Sequence, residues 1–192
     1  MSENGFHVHG PHDHAVEHAA EHGGGDSFSG QIAVMTAILA TVGALFSYMG
    51  GATQADAGLY KNNAAIKKTE AADQWNYYQS KGNKQNLAEL AAAIVPAEKQ
   101  EAYRKEVERY KSEKEAIKKD ADKLEAESKE WDEKSEAKMH LHHRWAQATT
   151  ALQISIAMAA IALLTRRKWL EWGMFGMSGI GLLLGIAALL HW

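Results

Sequence analysis

Histidine side chains are concentrated near the start of the chain, in the stretch HVHGPHDHAVEHAAEH. Imidazole nitrogens bind zinc, nickel and copper, and two histidines four residues apart on a helix can share one ion. Three of these histidines follow each other at four-residue steps, and three more lie around a proline: His7, His9, His12, His14, His18 and His22. The pattern predicts a loosely bound zinc, nickel or copper ion at this tail, although we expect no cofactor to be required.

Two alternatives to metal binding stay open for the tail, which we place at residues 1–30. Gly23, Gly24 and Gly25 separate the histidines from the rest of the chain and fix no ligand geometry, so the segment can be a flexible, solvated tail. It can also be a pH sensor that gains positive charge below about pH 6.5. A second cluster, MHLHHRW at 139–145, has no imidazoles at chelating spacing and is typical of contact with lipid headgroups.

Composition excludes several function classes. The 192 residues include no cysteine, which removes thiolate catalysis, iron–sulfur clusters and disulfides. The net charge of −3 does not favour nucleic-acid binding. Because the sequence has no nucleophile–base pair, phosphate-binding glycine loop or paired intramembrane carboxylates, we expect neither an enzyme nor a nucleic-acid partner.

Three apolar segments set the architecture that carries these residues. Segments 31–52 and 145–165 hold no charged residue, and segment 169–192 holds only Glu171. About 20 apolar residues in a helix cross the hydrocarbon core of a bilayer. We predict three transmembrane helices at these positions, the first a retained anchor, with a short basic loop at 166–168 and the lipid bilayer as the first partner.

The segment 53–144 has the opposite character, with 18 Lys and Arg balanced by 18 Asp and Glu. Large residues recur every seven positions with smaller ones between them, which is typical of a helix that packs on another helix: Tyr103, Tyr110, Ile117, Leu124 and Trp131. We predict an all-α membrane protein in which a long antiparallel coiled-coil hairpin lies between spans one and two. Gly82 is expected to break the first arm, residues 86–95 to form a short helix at the tip, and Pro96 to start the second arm.

The stretch DQWNYYQSK at 73–81 allows two interpretations. Its three aromatic residues could bind a cation or a flat molecule. The alternative, which we favour, places Trp75 and Tyr78 on the packing face of the first arm together with Tyr60, Ala64 and Ala71.

Small residues in the spans predict self-association, because helices in lipid pack through close backbone approach. The third span carries Gly173, Gly176, Gly179, Gly181 and Gly185, and the seven-residue repeat of the hairpin offers a second contact surface. We expect a homo-oligomer. The alternative is that these surfaces serve only the packing of the chain on itself.

The charges of the short loop between spans two and three predict the orientation of the protein in the membrane. Arg166, Arg167 and Lys168 favour a cytoplasmic loop, which places the hairpin in the periplasm of a bacterial inner membrane. Three lysines that follow span one favour the reverse orientation for that span, so the alternative stays open.

Two motifs carry a family resemblance: ADQWNYYQSK after the first span and LLTRRKWLEW between the second and third. With them, the region from about Gln31 to the end resembles DUF4337, a bacterial membrane-protein family defined only as a domain of unknown function. The resemblance implies no activity and does not include the histidine tail.

Taken together, these patterns predict a membrane-anchored coiled-coil scaffold or accessory subunit that forms homo-oligomers and offers its hairpin to a protein partner. The alternative is an oligomeric channel or transporter component linked to a divalent metal through the tail.

Overall fold

Three helices form the chain over residues 27–190, which are the residues that the computed structural model describes. Helix α1 spans Ser27–Ile94, α2 spans Ala97–Thr165 and α3 spans Lys168–Leu189. No strand occurs in this part of the chain. The predicted all-helical class is confirmed, and the two long helices pack together.

The prediction that Gly82 ends a helix is wrong, because α1 continues through it to Ile94. A single glycine costs a helix only about 1 kcal/mol relative to alanine. Contacts on both sides of Gly82 offset that cost: Lys81 bonds to Glu113, and Gln85 Oε1 accepts a hydrogen bond from Lys114 Nζ at 3.3 Å. Residues 86–95 therefore belong to α1 and its end rather than to a separate helix.

The break between α1 and α2 lies at Val95 and Pro96. Proline has no backbone N–H and disfavours helical geometry in the residue before it, so α1 ends at Ile94. Pro96 then accepts a hydrogen bond from the backbone N–H of Lys99 at 2.9 Å, which closes the first turn of α2. The proline marks the start of this helix, as the sequence indicates.

The second break lies at Arg166, whose φ of 51° places it in the left-handed region. Few residues other than glycine adopt this conformation, and it ends α2 at Thr165. The chain resumes as helix at Lys168. The connection is therefore Arg166 and Arg167, one residue shorter than the predicted loop at 166–168, because Lys168 is the first residue of α3.

The chain divides into two compact units, residues 27–54 with 139–190 and residues Ala55–Lys138. All three helices contribute to the apolar core of the first unit: Ile32, Leu39, Leu152, Ile156, Ala159, Ala162, Leu170 and Met174. Within it the hydroxyl of Ser155 donates to the Met174 carbonyl and hydrogen-bonds with Ser178, both at 2.8 Å. Each of the three helices contains a stretch long and apolar enough to cross a membrane.

The second unit consists of α1 paired with α2 over Ala55–Lys138. Residue numbers in contact rise along one helix as they fall along the other: Ala57 with Ser135, Ala64 with Ser128, and Lys81 with Glu113. The same order of contacts extends over most of the unit.

Candidate assembly surfaces

Small residues recur every seven positions on the side of α1 that is buried in the second unit. Ala57, Ala64 and Ala71 are all buried. The Ser135 hydroxyl donates to the Ala57 carbonyl at 2.8 Å, and the Ser128 hydroxyl donates to the Ala64 carbonyl at 2.9 Å. We call this row of alanines the inner seam. Since such side chains leave room for close backbone approach, a short serine can reach across, and each bond contributes about 1 kcal/mol.

The first unit repeats this contact one heptad earlier on α1. Gly50 is buried, and its carbonyl accepts a hydrogen bond from His142 Nδ1 at 2.8 Å. A Cβ atom at Gly50 would lie 3.3 Å from Cβ of Trp145, so the position suits only a very small residue. Because a carbonyl oxygen only accepts, His142 Nδ1 is the donor in this bond. The histidines of MHLHHRW thus include one that joins two helices.

The seven-residue repeat predicted on α2 faces the interior of this pair. Ile117 is buried, and the four aromatic and leucine positions are half-buried: Tyr103, Tyr110, Leu124 and Trp131. The Trp131 ring lies 5.5 Å from the Tyr60 ring of α1. These five positions are buried or half-buried within the chain, and their predicted role between subunits stays a prediction.

Ion pairs between α1 and α2 flank the inner seam. Lys61 pairs with Asp132, Lys138 lies 2.8 Å from Asp56, and Lys67 lies 3.5 Å from Glu127. The hydrogen bond to Asp56 raises the pKa of Lys138 above its usual value. Pairs this exposed contribute little stability individually, so their main effect is to favour one register of the two helices.

Lys81 is the most enclosed of these cations. Its Nζ lies 2.5 Å from Glu113, 5.2 Å from the centre of the Tyr77 ring and 5.7 Å from that of Tyr110. The hydrogen bond from Lys81 lowers the pKa of Glu113 and raises that of Lys81. Aromatic faces stabilise a cation between them. Tyr77 therefore already contacts a cation of its own chain.

The remaining aromatic residues of DQWNYYQSK pack as we favoured from the sequence. Trp75 Nε1 donates a hydrogen bond to Glu125 Oε1 at 2.8 Å. The rings of Trp75 and Tyr78 meet edge to face, with their centres 5.6 Å apart. Both side chains are half-buried.

The five glycines predicted as a packing groove divide into two groups. A Cβ atom at Gly181 would lie 2.8 Å from Leu152 Cδ2 and 3.2 Å from the Ala148 carbonyl oxygen, so α3 approaches α2 closely there. Gly173 and Gly185 likewise face the chain's own side chains, Met158 and Phe46. A Cβ atom at Gly176 or Gly179 would meet nothing within 4 Å. Only these last two present an open surface for another helix.

The histidines predicted to bind metal, His7 to His22, lie outside the described residues. Among residues 27–190, no group of three or more His, Asp or Glu side chains is arranged to hold a metal ion. The rings of His142 and His143 lie edge to face at 5.7 Å.

A second row of residues on α1 is exposed although it carries no charge. Leu59 is 57% exposed and Ile66 is 48% exposed. With Ala55, Asn62 and Thr69 they follow the alternating four- and three-residue steps of a coiled-coil contact. We call these five residues the outer seam. The outer seam was not predicted from the sequence, although its seven-residue spacing is present there: Ile38, Leu45, Ala52, Leu59 and Ile66 are all exposed.

Comparison with known proteins gives a family but no activity. No curated protein and no solved structure matches the chain. The model of a domain of unknown function, DUF4337, matches residues 28–191, which include both motifs that carry the resemblance. The chain belongs to the DUF4337 family.

Proposed function

We propose that this protein is a membrane-anchored scaffold or accessory subunit that self-associates and presents an antiparallel helical hairpin outside the bilayer. One observation carries the proposal: α1 and α2 each combine a charge-free apolar stretch with a highly charged stretch, and the charged stretches pair with each other. A hairpin built in this way is held at both ends by membrane helices. Its surface is then available to a protein partner.

The charge of the paired stretches supports their location in water. The segment 53–144 contains 36 ionisable Lys, Arg, Asp and Glu side chains, the sum of 18 basic and 18 acidic residues. Each such side chain costs about 3 kcal/mol at the centre of a bilayer helix, whereas the apolar stretches gain free energy there. An extramembrane hairpin with three spans satisfies both parts of the chain, which supports the proposal.

Two exposed surfaces support self-association. Gly176 and Gly179 leave an open, small-residue surface on α3, which is the kind of surface that lets helices approach in lipid. The outer seam leaves aliphatic side chains in water on an otherwise charged unit. Both surfaces would be covered by contact with another copy.

Co-purification of two differently tagged copies tests the proposal. We expect the second tag to be recovered with the first when both copies are expressed together and extracted in a mild detergent. Separately expressed copies that are mixed only after extraction serve as the control for exchange and aggregation. Recovery no greater than in the mixed control would contradict self-association.

Deletion of residues 1–26 separates this proposal from a metal-linked channel or transporter. Under the scaffold proposal the spans and the hairpin carry the assembly, so we expect co-purification of the two tags to be unchanged. Two results together would favour the channel alternative: the deletion variant no longer co-purifies, and zinc, nickel or copper changes the co-purification of the full chain.

For orientation we propose a multi-pass protein of a bacterial inner membrane with Arg166, Arg167 and Lys168 on the cytoplasmic side and the hairpin in the periplasm. The chain has no cysteine, so Ala126→Cys introduces one reactive thiol on the exposed side of α2. We expect a membrane-impermeant maleimide to label it in intact spheroplasts. Labelling only after membrane disruption would reverse the orientation without affecting the scaffold proposal.

A further inference from the structure

We propose that the partner covering the outer seam is a second copy of this chain, with the two α1 helices parallel and in register. This inference rests on the proposed function, because the shared membrane anchor gives both helices the same direction. It adds the contact surface, the relative direction of the helices and the residues at the centre of the contact.

The outer seam lies on the side of α1 away from α2. A helix turns by 100° per residue, so the mean direction of these five side chains around the α1 axis can be compared with that of the buried row. It lies roughly 155° from the row formed by Ala57, Ala64 and Ala71 and their half-buried neighbours. Packing inside the chain therefore leaves the outer seam accessible. Leu59 and Ile66 occupy one core position of successive heptads, and Ala55, Asn62 and Thr69 occupy the other.

Flanking residues allow close approach of an identical helix. One side of the outer seam carries Gly58, Ala65 and Ala72, all exposed, and a Cβ atom at Gly58 would meet nothing within 4 Å. The other side carries Asp56 and Glu70. When two parallel copies pack in register, each side faces the opposite side of its partner. The acidic residues then lie against small uncharged residues, and no like charges oppose each other.

Charge also distinguishes a second α1 from the chain's other helices. The exposed side of α2 carries Lys105, Lys119 and Glu133, with the uncharged Ser112 and Ala126 at the outward positions between them. Packing the outer seam there would desolvate charges for which the outer seam offers no partner. The outer seam of a second copy, in contrast, consists of five uncharged residues, from Ala55 to Thr69. Asp73 occupies the next core position, where two facing carboxylates repel, so the contact ends before it.

Asn62 gives the contact its register. In the parallel arrangement it faces Asn62 of the other copy, and the two amides can hydrogen-bond to each other. A shift of one heptad would place one Asn62 against Ala55 and the other against Thr69, so the two amides would no longer pair. A polar pair at one core position is a known way to fix register at some cost in stability.

Cysteine cross-linking in membranes tests the proposal, because the chain has no native cysteine. We expect Leu59→Cys and Ile66→Cys, each introduced alone, to form a disulfide on mild oxidation and to shift from 21.1 kDa to twice that mass on a non-reducing gel. Ala126→Cys, exposed on the outward side of α2, is the matched control and should stay at the mass of one chain. A disulfide needs Cβ atoms about 4 Å apart, so random collisions contribute little.

The two positions together also test helix direction. Residues seven apart are separated by roughly 10 Å along a helix, so an antiparallel pair can bring only one of them against its own copy. Cross-linking of both supports the parallel register, and cross-linking of only one would overturn it. If neither cross-links while tagged copies still co-purify, the outer seam is the wrong surface and the proposed function stands. If tagged copies do not co-purify either, both fail.

Two glutamates introduced into the outer seam provide a second test, which does not depend on disulfide geometry. We expect Leu59→Glu with Ile66→Glu to abolish co-purification while helix content by circular dichroism stays unchanged, since both side chains are exposed in the single chain. Leu87→Glu with Leu90→Glu changes two exposed leucines elsewhere on α1 and should leave co-purification intact. Equal effects of the two pairs would overturn the assignment.

Discussion

Replacing Ala121 by leucine is expected to lower the unfolding temperature by on the order of 5 °C. Ala121 is fully buried on α2, and the contact register places it opposite Ala71, another buried alanine of the inner seam. Three additional carbon atoms cannot be accommodated between two helices held by bonds from short serines to the opposite backbone. The helices must separate, or the new side chain must adopt a strained rotamer, which costs about 1–3 kcal/mol.

Ala126→Leu is the matched control for this prediction. It makes the same change on the same helix at an exposed position, where leucine and alanine have similar helix propensity. Thermal unfolding followed by circular dichroism should therefore show a loss for Ala121→Leu and almost none for Ala126→Leu. Equal unfolding temperatures would mean that the inner seam is not closely packed.

Gly181→Leu is expected to destabilise the apolar unit by a similar or larger amount. The first added carbon would lie 2.8 Å from Leu152 Cδ2 and 3.2 Å from the Ala148 carbonyl oxygen. Backbone cannot rotate away as a side chain can, so α3 must move from α2, with a loss of about 1–3 kcal/mol. The measurement is the temperature at which the detergent-solubilised protein loses its size-exclusion peak.

Gly176→Leu makes the same substitution where a Cβ atom would meet nothing within 4 Å of the chain. The fold of the single chain should tolerate it. If Gly176 lies in a contact between copies, as the glycine pattern predicts, this variant lowers co-purification while the single chain stays folded. A peak lost at the same temperature for both variants would show that the α2–α3 contact is not close at Gly181.

Much of the architecture follows from the sequence because the physical signals are strong. Long charge-free stretches predict the apolar helices, and the seven-residue repeat from Tyr103 to Trp131 predicts the packing side of α2. Pro96 ends a helix for covalent reasons that tertiary contacts cannot overcome. Gly82 carries only a weak penalty, so contacts of Lys81 and Gln85 with α2 override it, and those contacts are not readable from local sequence.

The assembly surfaces were harder to predict because periodicity does not distinguish inside from outside. On α1 the buried row consists of small residues and the exposed row includes Leu59 and Ile66, the reverse of the usual apolar pattern. Small residues let the two backbones approach closely on the buried side, so an assignment by side-chain size alone would exchange the two rows. The glycines of α3 pose the same problem, since Gly181 and Gly176 differ only in what lies opposite them.

The most direct test of the central claim, that copies of this chain join through their membrane-anchored helices, is the native mass of the intact protein released from lipid nanodiscs. One chain has a mass of 21.1 kDa. We predict two or more times that mass for the full chain, and the mass of a single chain for the variant that combines Leu59→Glu and Ile66→Glu. A single chain of 21.1 kDa for the unaltered protein would contradict the account.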